Sequence, residues 1–325
     1  MALFSKRTNS DGNDGPGAES GDATATQPSR DAATDAAASV GISVSSYRGM
    51  GAQPAPAAPA GAAAATESVP GIKDNVVLRE ALAALSESPS VADILGVARQ
   101  LLQGHLFLRV KGDARELLAA GKDLPVAVVT LNGKQFVLAY SSGTALRASI
   151  KADKELGTSA MGQPVRSVIR YVLAGTYAGI VVDHASAPAR AVIPRELLEK
   201  LVEQGDPTFE VKTLLSAERT PATASELADT LTRAKFWVAV NTSPGGQVGV
   251  AEARTVDGDR LLELYSHPLE VASQQRGDRA APMTAPQLAA ALQADQGLAG
   301  VIVDPGGPWM RLSRAELAPI LALPA

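Results

Sequence analysis

Two aspartates, Asp183 and Asp304, each end an uncharged run that is typical of a buried strand, GIVVD in one place and GVIVD in the other. Open sheets often place ligand-binding groups at such strand ends, and His184 beside Asp183 suggests an Asp–His pair. Adjacent strand residues point to opposite faces, however, and Pro305 stands where a second histidine would be needed. We therefore expect both carboxylates to cap the following turn by accepting backbone N–H groups.

Serines begin the segments that follow two of the predicted strands, SSG at 141–143 and SHP at 266–268. A serine–histidine nucleophile needs a histidine that a third group holds within hydrogen-bond reach. The sequence indicates no such group, so a helix N-cap is the better prediction. The glycine-rich run DPGGP at 304–308 lacks the Lys-Ser/Thr pair of a phosphate-binding loop, and it is predicted to be a turn.

Tyr140 and Tyr265 form the most distinctive polar pair, because each stands seven residues after the glycine of a hairpin turn. One interpretation is a half-buried tyrosine with its hydroxyl at the rim of a domain. The alternative is a contact point in a binding groove. Together with Asp183 and Asp304, these tyrosines are candidate partner-binding residues.

The composition argues against most metal and cofactor chemistry. The 325 residues include no cysteine and only 3 histidines. Disulfides, thiol nucleophiles and iron–sulfur clusters are therefore excluded, and a multi-histidine metal site is not expected. We predict no catalytic residues, no metal, no cofactor and no enzymatic activity.

Charge and hydropathy narrow the partners and the location. The formal net charge is −4, and no segment carries the basic footprint that binding to nucleic acid requires. The beginning of the chain turns polar after Phe4, without the apolar run of a secretory signal. No stretch of about 18 uncharged apolar residues predicts a membrane span. The expectation is a cytoplasmic protein that binds neither nucleic acid nor membrane.

The elements that must position these residues occur twice in the sequence. The two tyrosines are 125 residues apart and the two aspartates 121 residues apart, so order and spacing are nearly kept between the copies. Each copy closes with an amphipathic segment, PRELLEKLV in the first and SRAELAPIL in the second. Such self-similarity indicates two diverged copies of one domain, which we place at 75–205 and 215–325, joined by a connector of about 206–222.

Local signals predict the same elements in both copies. Apolar periodicity predicts a helix beginning near Ser90 and a second near Thr223, each followed by a strand. Asn132-Gly133 predicts a two-residue hairpin turn, and Asp257-Gly258 is expected to do the same. Further helices should begin at Pro164 and near Pro286, because proline is favoured in the first helical turn. Short strands over 191–193 and 309–312 precede the closing helices. The fold class is α+β, with a mostly antiparallel sheet and packed helices in each copy.

Residues 1–74 differ in kind from the rest of the chain. They are rich in Ala, Ser, Gly, Pro and Asp, which predicts a disordered tail and linker. One island at 39–50 interrupts it, with Val40, Ile42 and Val44 in strict alternation ahead of Tyr47. This alternation either arises by chance or marks a short motif that adds as a strand to the edge of a sheet, in this chain or in a partner.

The turn motif, the strand ending in an aromatic residue, the Ser-rich helix start and the G-[IV]-[IV]-V-D run together resemble the SseB-like family, in two tandem copies. Family members often have Asn-Pro after the buried strand, whereas this chain has Asp183-His184 and Asp304-Pro305. The resemblance implies a cytoplasmic protein without an established enzymatic activity, and it supplies no catalytic residues.

Three functions follow from these observations. The leading one is a non-enzymatic interaction or scaffold module that binds a protein partner, using residues 39–50 and a shared cleft between two domains packed side by side. The second is a secretion-linked accessory or immunity-type protein that binds one client. The third is a cofactor-free enzyme that uses Asp183 or Asp304 with a tyrosine at the cleft between the domains.

Overall fold

The computed structural model describes residues 66–69, 71–155, 157–242, 246 and 248–324. Residues 1–65 and 70 of the predicted tail, including the 39–50 motif with Val40, Ile42, Val44 and Tyr47, therefore lie outside the described residues. The last part of the predicted tail, 66–69 and 71–74, is described, and its Val69 and Ile72 pack against the first copy. No helix in the described part of the chain is long and apolar enough to span a bilayer.

The first copy alternates helices with strands. Its elements are α1 (Val76–Ala83), α2 (Val91–Leu101), β1 (His105–Lys111), α3 (Ala114–Ala119), β2 (Val128–Leu131), β3 (Lys134–Tyr140), α4 (Gly143–Asp153), β4 (Thr158–Pro164), α5 (Val165–Ala174), β5 (Gly179–Val182), β6 (Ala191–Pro194) and α6 (Arg195–Gln204).

The second copy repeats this succession with local changes. Its elements are α7 (Glu210–Ser216), α8 (Thr223–Leu231), β7 (Phe236–Thr242), β8 (Val248–Val250), β9 (Glu252–Arg254), β10 (Arg260–Leu264), α9 (Pro268–Ala272), β11 (Arg279–Met283), α10 (Ala285–Ala294), β12 (Leu298–Val303), β13 (Met310–Ser313) and α11 (Ala318–Leu321).

The sheets of the two copies share one strand order, which confirms the predicted α+β class. The first sheet runs β4-β1-β3-β5-β6, with β2 also paired to β3. In the second copy, β11-β7 and β10-β12-β13 follow the same order, and reciprocal backbone hydrogen bonds of 2.8 Å between Trp237 and Tyr265 join β7 to β10. In each copy one pair of neighbouring strands is parallel, β3 with β5 in the first copy and β10 with β12 in the second. The other neighbours in these strand orders are antiparallel.

Each copy encloses its own aliphatic interior. One cluster of buried residues extends from Leu78 to Phe209 and a second from Val211 to Ile320. Burial of this surface is the main force that holds each sheet against its helices. The predicted connector contains a helix, α7, whose Val211 and Leu215 belong to the second interior.

The structure corrects two local predictions. Pro164 does not lie in a helix. It is the last residue of β4, a strand that the local sequence does not predict, and it precedes α5. The two hairpin turns also differ. Asn132 and Gly133 both have positive φ, at 51° and 75°, whereas only the glycine of Asp257-Gly258 does. The second turn is longer, because β9 ends at Arg254 and β10 begins at Arg260.

Candidate functional site

The strand-end aspartates join neighbouring strands rather than capping their own turns. Asp183 accepts hydrogen bonds from the backbone N–H, at 2.8 Å, and from the hydroxyl of Ser141. Asp304 does the same with Ser266, at 2.7 Å to the nitrogen and 2.5 Å to the oxygen. Each pair ties the end of one parallel strand to the end of its neighbour. The expected backbone N–H ligand is therefore present, but it belongs to the adjacent strand.

Burial makes both aspartates unusually weak acids. It raises the pKa of Asp183 to about 6, against the opposing effect of the Ser141 hydrogen bonds. It raises the pKa of Asp304 to about 7, and the nearby Glu270 carboxylate adds to the rise. The Asp–His pair suggested by His184 does not form, because that ring lies 3.4 Å from Asp153 instead.

The tyrosines lie in the interior, so their hydroxyls are not at a domain rim. Tyr140 is fully buried and its hydroxyl lies 2.7 Å from the Ser149 hydroxyl. Tyr265 is fully buried and donates to Glu263 at 2.5 Å. Burial raises the pKa of both phenols. The structure thus gives these residues internal hydrogen bonds, and their role in partner binding stays a prediction.

The helix starts are capped as expected in one copy and differently in the other. Ser142 accepts from the N–H of Ala145 at 3.1 Å and caps α4. In the second copy the cap is His267, whose Nδ1 accepts from Leu269 at 3.0 Å. The other ring nitrogen, Nε2, lies 3.1 Å from the carbonyl of Leu201 and donates to it, which links α9 to the end of α6 in the first copy. Burial lowers the pKa of His267 to about 4, so the ring is neutral at physiological pH.

A buried ion cluster connects the two copies. Glu270 of α9 has no exposed side-chain surface, and Arg99 of α2 donates to it at 2.7 Å. Lys212 of α7, 5% exposed, binds the other carboxylate oxygen. Burial opposes ionisation of Glu270, but the charges of Lys212 and Arg99 outweigh it and lower the pKa. Arg99 also donates to the carbonyl of Gly306 at 3.0 Å. One carboxylate therefore holds helices of both copies together.

A cleft of about 620 Å³ opens beside this cluster, and both copies line it. One wall is formed by α1 and α2 and includes the small residues Ala81 and Gly96; the other is the 306–308 loop of the second copy. Glu80 and Asp93 add negative charge to the lining, and Arg99, whose charge Glu270 balances, also lines the cleft. The 93% buried Gln100 also lines the cleft, and its Oε1 has no hydrogen-bond partner among the described residues.

The geometry does not bring the predicted site residues to this cleft. Neither Asp183 nor Asp304 lines it, and neither tyrosine does. Among the described residues, no group of three or more His, Cys, Asp or Glu side chains could hold a metal ion. The arrangement is that of a cleft lined by two carboxylates, one ion-paired arginine and one buried amide.

The family comparison accounts for the repeat. The model of the SseB protein N-terminal domain matches the chain twice, over residues 78–200 and 211–318, which is well over half of its length. The chain belongs to the SseB family. No curated protein and no solved structure matched it in the other two comparisons.

The SseB repeat also shows how the ion cluster could have been found. The spacing of 125 residues between the tyrosines places Glu270 opposite Ala145, a buried residue of the first copy. Arg79 and Lys212 each follow the first residue of a family match. A carboxylate at a core position of one repeat needs a buried cation, and Lys212 near the start of the second match supplies one.

Proposed function

We propose that this SseB-family chain is a non-enzymatic interaction module, and that the cleft between its two copies binds a cationic peptide segment of a protein partner. The proposal rests on the residues that line the cleft, above all on the side-chain oxygen of Gln100, which has no hydrogen-bond partner among the described residues. A buried amide acceptor without a partner is costly, and a rotation of the Gln100 side chain towards the cleft would let a peptide N–H satisfy it.

The shape and charge of the cleft support a peptide. Small side chains such as Ala81 and Gly96 allow a backbone to approach the helices closely, and a Cβ added at Gly96 would meet no atom within 4 Å. Glu80 and Asp93 favour a Lys or Arg side chain on the bound segment. The cluster around Glu270 fixes both walls, so the binding surface is formed before the partner arrives.

The proposal is tested by filling the cleft and reversing its charge. Gly96→Leu should occupy the open space, and Glu80→Lys should repel a cationic segment. Ala119→Leu is the matched control, because it adds the same side chain to an exposed helical position of α3. The three variants and the wild type are used as bait in the native host, and native mass spectrometry gives the stoichiometry of what co-purifies.

We expect one stoichiometric partner with the wild type and Ala119→Leu, and at least a tenfold loss with both cleft variants. Equal capture by all four proteins would refute the cleft as the binding site. The secretion-linked alternative would be favoured by a single client from a secretion apparatus. No specific observation favours the enzyme alternative. A location in the cytoplasm stays the prediction made from the sequence.

A further inference from the structure

The strand β4 has one unpaired edge. Its register with β1 is fixed at both ends, where Val165 donates to Gly104 at 3.1 Å and Gly112 donates to Gly157 at 2.9 Å. Backbone hydrogen bonds in an antiparallel pair alternate along the strand. The N–H and C=O groups of Thr158, Ala160 and Gly162 therefore point away from β1, and no described strand other than β1 pairs with β4.

This edge lacks the features that usually prevent another strand from pairing with an exposed edge. Its sequence TSAMGQP contains no charged residue and no proline before the last position, and its first six residues are half-exposed. The corresponding edge strand of the second copy, β11, has the sequence RAAPM, with Arg279 at its start and Pro282 inside. Charged residues and proline on an edge prevent further strands from adding. Only β11 is protected in this way.

We infer that residues 40–44 of the same chain add to β4 as a further strand. This inference goes beyond the proposed function, since it concerns a different surface. The apolar alternation of Val40, Ile42 and Val44 suits a strand with one buried face. Five residues span the outward-pointing groups of Thr158, Ala160 and Gly162.

The point at which the chain enters the fold favours this occupant. Val69 packs against the start of α4, where a Cβ on Gly143 would lie 2.4 Å from its side chain. Ile72 packs directly over Gly162 of β4, where an added Cβ would lie 2.7 Å away. The chain therefore passes along the face of β4 before α1 begins. Ile72, Ala160 and Ile150 belong to one apolar cluster on that face, which a strand bearing Val40, Ile42 and Val44 would extend.

The intervening length permits this addition within one molecule. Residues 45–65 separate the segment from Thr66, and the root-mean-square span of a random-coil peptide of 21 residues is roughly 25 Å. β4 itself is about 23 Å long at the usual rise of a strand. A tether of this size gives an effective concentration in the millimolar range. The segment of the same molecule therefore outcompetes that of a second molecule at ordinary protein concentrations.

Residue-resolved amide hydrogen exchange of the full-length chain tests the inference. Ile42→Pro removes a backbone donor and the apolar centre of the segment. Ala33→Pro is the control, since it also introduces a proline and removes a backbone donor, but outside the motif. We expect Ala160 and Gly162 to exchange at least tenfold faster in Ile42→Pro than in the wild type or Ala33→Pro. The amide of Met161, which faces β1, should be unaffected in all three.

The other occupants are distinguishable outcomes. Equal exchange at Ala160 and Gly162 in all three proteins would overturn the inference. Protection that rises with protein concentration, together with a dimer in size-exclusion chromatography, would assign the edge to a second copy. Protection that appears only after a partner is added would assign it to that partner. Each result is independent of the cleft variants, so the proposed function can fail or succeed separately.

Discussion

Replacing Glu270 by glutamine should destabilise the chain more than any exposed charge substitution. Glu270 has no exposed side-chain surface, and Lys212 and Arg99 are 5% and 16% exposed. Each pair of charges about 4 Å apart is worth about 4 kcal/mol at the effective dielectric of partly buried sites. The variant removes both attractions but also removes the desolvation of the carboxylate. Breaking a buried pair in this way costs about 3–5 kcal/mol.

Glu210→Gln is the matched control on α7. Glu210 pairs with Arg233 at 2.6 Å, but their side chains are 42% and 57% exposed, so the loss should stay below about 1 kcal/mol. For a chain of this size, Glu270→Gln should lower Tm by about 6–20 °C, and the control by no more than about 4 °C.

The assay can also show whether the cluster couples the two copies. Both tryptophans, Trp237 and Trp309, lie in the second copy, so their fluorescence reports its unfolding alone, whereas far-ultraviolet circular dichroism reports both copies. In urea the two signals should coincide for the wild type and separate for Glu270→Gln, because Arg99 then loses its ion pair with the second copy and keeps only the weaker hydrogen bonds to Ser273 and Gly306. Equal, small shifts in the variant and the control, with coincident signals, would refute this reasoning.

Three further predictions concern local structure and pH. Asn132→Ala should lower the free energy of unfolding in urea by about 1 kcal/mol, because the φ of Asn132 is 51°. Asp257 has no positive φ, so Asp257→Ala should lower it by less than about 0.5 kcal/mol. Equal losses in the two variants would contradict this. Gly300→Ala should lower the free energy of unfolding by about 3 kcal/mol, because the added Cβ would lie 2.1 Å from a backbone oxygen of β13. Gly96→Ala in α2 should raise it by up to about 1 kcal/mol. An unchanged stability of Gly300→Ala would be inconsistent with the strand packing. The pKa of His267 falls from 6.5 to about 4 on folding, so its contribution is complete above pH 6.5 and is lost as the pH falls towards 4. In His267→Asn the free energy of unfolding, measured by urea titration at several pH values, should rise less or fall more than in the wild type between pH 4 and 6.5, and an unchanged slope would contradict the assignment.

The strand-end aspartates should act in the opposite direction. Folding raises the pKa of Asp304 from 3.8 to about 7, so the folded state binds more protons between these values. Its contribution to stability is complete below pH 3.8 and is lost as the pH rises through 7. Between pH 4 and 6.5 the contributions of Asp304 and His267 therefore change in opposite directions and largely offset each other.

Much of the fold could be predicted because its signals are local. The asparagine–glycine turn, the helix beginning near Ser90 and the apolar runs ending at Asp183 and Asp304 each follow from a pattern of a few residues. β4 was missed because TSAMGQP alternates no strongly apolar residues and ends in a proline. Its strand state comes from pairing with β1, which a local pattern does not contain.

The candidate site was less predictable for the same reason. Asp304 and Ser266 are 38 residues apart, and Arg99 and Glu270 are 171 residues apart. Nothing in either local sequence shows that these side chains share a buried contact. The two tyrosines were recognised as special by their spacing, but their full burial depends on the helices and strands packed around them.

The sequence by itself determined the duplication, the succession of elements in each copy and the class of the fold, because turn residues and apolar periodicity act over a few positions. Tertiary structure alone decided that Arg99 of one copy would meet Glu270 of the other, that a cleft would form beside them, and that one edge of β4 would be left without a described partner. Those features arise from packing between distant segments, where burial turns an ordinary charge or strand edge into a group that requires a partner.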